Sequence, residues 1–206
     1  MALKRLTIDG YGVAEWNKIA APFTAKMESQ LPLDPTVFKE TETSTSGIFA
    51  EVGQFLALDK TNKVATVPTT ATDADYLPIG YNFSSEVMYD ERKRGLKNFK
   101  QACDDFLPNI GIPEVSDVIT INAVVYDDTE FVAAGLLTAE DVFIAALEDV
   151  TTTPLYGILV NGSKGFLQIT DTVASNLGGI IYKVEALTTM PDGSKGIKLQ
   201  AVKATV

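Results

Sequence analysis

The chain has 206 residues, 46% of them hydrophobic, and carries 17 basic against 27 acidic residues for a formal net charge of −10. That length buries a sizeable core without disulfides or a metal, and the negative field repels nucleic acid and anionic membranes. There is no histidine and one cysteine, Cys103, which removes an intrachain disulfide and every Ser-His, Cys-His and His-metal scheme.

The first residues, Met1 to Arg5, are followed by Asp9, Gly10, Glu15 and Asn17. A signal peptide would place an apolar run of roughly 7–15 residues there. No stretch approaches the ~20 apolar residues of a membrane-spanning helix. The expectation is a chain made in a cytosol, with no membrane partner.

Residues 1–42 read as an arm. Apolar residues at positions 13, 16, 19, 20, 23, 27 and 31 follow the three-to-four spacing of one helical face. Pro22 lies inside this pattern and predicts a kink, and Pro32 and Pro35 end it. Trp16, Ile19, Phe23 and Met27 form a stripe that either packs on the chain's own core or docks on a partner. Residues 39–46 are polar and linker-like.

Residues 43–206 read as a β-rich body. Residues 48–58 predict a strand with a possible bulge at Gly53, a turn at 59–63 and a return at 64–67. Short strands are expected at 79–83 and 86–89, and a helix over 92–103 from the spacing of Leu96, Phe99 and Cys103. Arg92, Lys93 and Arg94 open a local basic run whose readings are a solvated helix face, a contact to an acidic subunit or, least favoured beside Glu86, Asp90 and Glu91, nucleic acid. Residues 118–126 alternate as one strand. Thr138 followed by Asp141 has the spacing of a capping box, so 138–149 is a helix or, on the rival reading, a strand over 141–147. Residues 155–160 and 166–170 flank Asn161-Gly162, and 180–187 and 196–203 flank Asp192-Gly193; both read as hairpins. The fold class expected is mainly β, a small barrel or sandwich, with a partly helical N-terminal arm and one or two short helices in the body.

Little in this pattern points to catalysis. Cys103 is followed by Asp104 and Asp105, which raise a thiol pKa. Residues 157–164 end in Gly-Ser-Lys, whereas a phosphate loop needs lysine directly after its second glycine. The acidic pairs at 104–105, 127–128 and 140–141 read as solvated turns; a calcium ion between loops or a two-carboxylate hydrolase are the sharper alternatives. No catalytic, metal or cofactor residue is expected.

Residues 181–200, IYKVEALTTMPDGSKGIKLQ, resemble the closing hairpin of structural proteins of tailed bacteriophages. Residues 52–59, VGQFLALD, and 79–86, IGYNFSSE, are similar in style to small β-barrel head proteins of such phages. The resemblance implies a non-enzymatic virion component made in the host cytoplasm: a capsid decoration, cement or minor head protein, oligomeric, bound to the major capsid protein or other virion subunits through its N-terminal arm. The alternative expectation is a carbohydrate- or receptor-binding β module of a phage tail, with exposed aromatics among Tyr76, Tyr81, Tyr89 and Tyr126 stacking on sugars.

Overall fold

In a computed structural model of the chain, residues 3–14, 27–28, 31–69, 78–84, 96–105, 108–133, 135–174, 176–177, 180–190 and 193–203 are described. In chain order the strands are β1 (Leu3–Arg5), β2 (Met27–Glu28), β3 (Phe55–Asp59), β4 (Val64–Thr66), β5 (Ile79–Asn82), β6 (Ile110–Gly111), β7 (Val118–Ile121), β8 (Val124–Asp127), β9 (Tyr156–Ile158), β10 (Leu167–Thr170), β11 (Ile180–Thr189) and β12 (Lys195–Lys203). Among the described residues, a helix, α1 (Ala139–Glu148), lies between β8 and β9, and a 3-10 turn covers Leu96–Asn98.

The strands form two sheets. A seven-stranded sheet has the order β1-β8-β10-β9-β11-β12-β7, and a five-stranded sheet the order β2-β6-β5-β3-β4. Neither closes into a barrel, so the mainly β expectation holds and its barrel version does not. Both C-terminal hairpins form in the expected pairing, β9 with β10 and β11 with β12. Gly162 and Gly193 take φ of 85° and 84° in their connections, a region closed to most side chains.

The main core lies between the sheets. Phe55 of the five-stranded sheet meets Tyr182 of the larger one, with ring centroids 5.1 Å apart. Tyr81, Phe83, Ile121, Tyr126, Ile169 and Leu199 belong to the same cluster. Helix α1 closes one end through Phe143 and Leu147, four residues apart on one face. Phe143 stacks on Tyr126 with centroids 4.6 Å apart. A second core covers the other face of the small sheet, where Leu56 and Leu58 pack with Leu31, Leu33, Phe38 and Ile110. Strand β3 is therefore buried on both faces, which explains its unbroken apolar run.

The expected helical N-terminal arm is corrected wherever its residues are described. Residues 3–5 are an antiparallel edge strand on β8. Ala14 bridges Ile121, Met27–Glu28 is a strand paired with β6, and Leu33 bridges Ala65. Of the apolar positions assigned to one helical face, Val13 is buried outside any helix and Leu31 packs in the second core. Residues 15–26 lie outside the described residues.

Three further elements differ from expectation. The predicted strand 118–126 is two strands, β7 at one edge of the large sheet and β8 next to the other edge, broken at Asn122. Asn122 accepts from Val13 N at 2.7 Å through its side chain, and its backbone N–H donates to Val13 O. That substitutes a corner for ladder pairing. Strand β3 begins at Phe55 rather than 48, because Gly53 sits in a turn with φ 86°. Of the helix expected over 92–103, the described part shows only the 3-10 turn, after which Gln101 bridges Ala50. The open choice at 138–149 resolves as helix: Thr138 accepts from Asp141 N, and the Asp141 carboxylate accepts from Thr138 N at 2.8 Å.

Candidate interaction surfaces

Most sequence-predicted contact residues, namely Trp16, Ile19, Phe23, Arg92, Lys93 and Arg94, lie outside the described residues. Met27 is a strand residue rather than part of a helical stripe. Tyr81 and Tyr126 are buried in the main core, so neither presents a face to a sugar; Tyr76 and Tyr89 lie outside the described residues.

Two surface features stand out among the described residues. The first is the loop between β8 and α1. Its start is held by Asp127, whose Oδ1 accepts from Thr129 N at 2.9 Å and Thr129 Oγ1 at 2.8 Å. Those bonds lower the Asp127 pKa against the opposing effect of burial. Phe131 then inserts into the main core, and Thr138 caps the helix at the far end. Between these anchors Leu136 is fully exposed, and Val132 and Leu137 are more than half exposed. Glu130 sits at the loop's base and accepts from Asp171 N at 2.9 Å; burial raises its pKa.

The second feature is a cleft of about 370 Å³ lined by Leu3, Arg5, Tyr11, Lys39, Phe49, Lys164 and Phe166 among others. Arg5 and Glu51, both on its lining, form a partly buried ion pair. Glu51 receives both terminal nitrogens of Arg5, one at 2.7 Å, and also Gly12 N at 2.6 Å. Only glycine allows that approach, since a Cβ on Gly12 would stand 2.5 Å from Val52 O. Arg5 also lies over the Phe166 ring at 4.8 Å. Lys39 and Lys100 lie over Phe49 at 4.9 and 4.0 Å, and Tyr11 meets Phe49 edge-on. With Glu51 neutralised by Arg5, Lys39 and Lys164 leave the lining positive. Two polar atoms in this region, Arg5 Nε and Ser163 Oγ, have no hydrogen-bond partner among the described residues.

Sequence reasoning missed this cleft because the cations on its lining, at 5, 39 and 164, are far apart in the chain and assembled only by the fold. The charge partition behind it is legible in hindsight. Residues 101–163 contain eleven acidic residues and no lysine or arginine; the other parts of the chain hold 17 basic against 16 acidic. The exposed loop lies in the acidic stretch, whereas the cleft's cations all lie outside it.

The other candidate chemical groups have structural duties. Asp105 accepts from Ala102 N, Asp128 pairs with Lys4 at 2.9 Å, Glu140 accepts from Thr7, and Asp141 caps α1. Asp59 binds Thr61 N, Asn62 N and Asn62 Nδ2 as a local turn. Among the described residues no group of three or more acidic or cysteine side chains is placed to hold a metal. Burial, and then Asp34, Asp104, Glu40 and Asp105, pushes the Cys103 thiol up to about 11. That is the opposite of an activated nucleophile. Among the described residues no helix is long and apolar enough to cross a membrane.

No protein-family model matches the chain, and neither curated proteins nor solved structures gave a significant match.

Proposed function

We propose that this chain is a non-enzymatic structural component of a tailed-bacteriophage virion, a capsid decoration, cement or minor head protein that binds the major capsid protein or neighbouring subunits. The observation that carries the reading is the loop at 132–137, three large apolar side chains held in water between two firm anchors. Such a cluster is stabilised by burial in a partner, at roughly 1.5–3 kcal/mol for each large side chain fully covered. The phage context comes from the resemblance of the closing hairpin and of residues 52–59 and 79–86. Trp16, Ile19, Phe23, Arg92, Lys93 and Arg94 remain candidate contacts of the same kind.

The test is co-sedimentation of the purified chain with virions or capsids from which it has been stripped. Wild type is expected in the particle fraction. The double variant Leu136→Asp/Leu137→Asp is expected to bind at least about tenfold more weakly, the loss of one or two buried leucines. A wild-type chain that never sediments with particles sinks the proposal.

A further inference from the structure

We infer that the loop at 132–137 of one copy docks into the Arg5–Lys39–Lys164 cleft of the next, making a head-to-tail contact between copies of this chain. The inference rests on reading the loop as a contact point, and it names the partner.

Charge complementarity selects that partner. The loop sits between Glu130, with Asp128 paired to Lys4 before it, and Glu140 and Asp141 on the other side, within a stretch of eleven acidic and no basic residues in sequence. The cleft gathers Lys39 and Lys164 on its lining; Lys100, against Phe49 beside them, is paired with Glu42 at 3.5 Å. Like-charged faces of two acidic molecules repel, whereas this pairing sets the negative end of one copy on the positive recess of another. The apolar parts match too. Leu136 and Leu137 offer aliphatic surface, and Leu3, Phe49, Val125 and Phe166 line the receiving wall. Its size is at the lower end of the roughly 300–1,000 Å³ of ligand pockets, suited to a loop tip rather than a folded element.

The geometry also fixes the kind of contact. No loop residue lines the cleft, so one copy engages a neighbour with each. Two different patches on each subunit make a heterologous interface, which propagates until it closes a ring or runs on as a filament. Each joint is small, and the assembly gains through repetition.

Sedimentation velocity on the full chain and two variants tests this. Leu136→Asp/Leu137→Asp disables the loop; Lys164→Glu/Lys39→Gln disables the cleft. Wild type should form concentration-dependent oligomers that weaken at least about tenfold between about 50 and about 500 mM salt, as screening removes the attraction. Each variant alone should stay monomeric. An equimolar mixture should stop at dimers, because only one intact loop and one intact cleft remain per pair. Matching urea midpoints for the three chains establish that the variants fold. A monomeric wild type, a cleft variant that assembles like wild type, or a mixture without dimers overturns the contact. Loop-dependent particle binding by an unimpaired cleft variant would overturn it too, while leaving the virion reading in place.

Discussion

At the residue scale the most consequential group is the Arg5–Glu51 pair. Glu51 is the deeper partner, its side chain 8% exposed against 31% for Arg5. Removing a charge from a buried pair is costly mainly through the ion left behind. Arg5→Met strands a buried carboxylate with Gly12 N as its described remaining donor. Glu51→Gln strands a guanidinium that still reaches water and keeps an amide oxygen for Gly12. Arg5→Met is therefore expected to lower stability by about 3 kcal/mol, and Glu51→Gln by about 1 kcal/mol. Urea melts at neutral pH check the order; equal losses would mean that burial does not set the cost. A second residue-scale effect concerns pH. Hydrogen bonds from Thr129 depress the folded-state pKa of Asp127. Its stabilisation is complete above the ordinary aspartate value of about 3.9 and is lost as pH falls through the depressed folded value. Glu130, raised by burial, has the opposite sign: its charged form opposes folding as pH rises past the ordinary glutamate range. Asp127→Asn should flatten the acid limb of the stability profile, and Glu130→Gln should not.

At the element scale α1 is the clearest case of local chemistry deciding structure. Its capping box works with Asp141 in the place usually taken by a longer acid. Thr138→Ala removes the hydroxyl that accepts from Asp141 N, and about 1 kcal/mol of stability should go with it. The urea midpoint then falls by a few tenths of a molar, on a slope of roughly 1–3 kcal/mol/M. The two C-terminal hairpins and the β3–β4 return were readable, and the capping-box spacing was legible without deciding helix over strand, because each rests on residues a few positions apart. What was hidden depends on distant partners. Residues 118–126 alternate well enough for one strand, and only the bonds of Asn122 to Val13 and Ser194 reveal the corner. The cleft was invisible for the same reason, since Arg5, Lys39, Lys100 and Lys164 have no common spacing. Of the three-to-four period over 13–31, Val13 and Leu31 are buried and Met27 lies in a strand, while positions 16, 19, 20 and 23 lie outside the described residues.

At the scale of the whole molecule the question is whether residues 1–42 are an appendage or part of the fold. Leu6 belongs to the core between the sheets, and Val13 is buried where its backbone meets Asn122. Leu31, Leu33 and Phe38 form the cover on the outer face of the small sheet, over Leu56, Leu58 and Ile110. Removing that cover exposes much of the outer face of β3, and in the other sheet it strips β8 of its edge strand. The five side chains are worth roughly 1.5–3 kcal/mol each by burial. Their sum is of the same order as the roughly 5–15 kcal/mol that separates a native domain from its unfolded chain. Truncation to 43–206 is therefore expected to destroy cooperative folding rather than release a stable body. The truncated chain should show no sharp urea transition and poor amide dispersion, and it should expose the Cys103 thiol, which packs beside the second core, to rapid alkylation. A truncated chain with native-like dispersion and a sharp transition would make 1–42 an arm after all, and its contacts with the two cores would then contribute little to holding the sheets together.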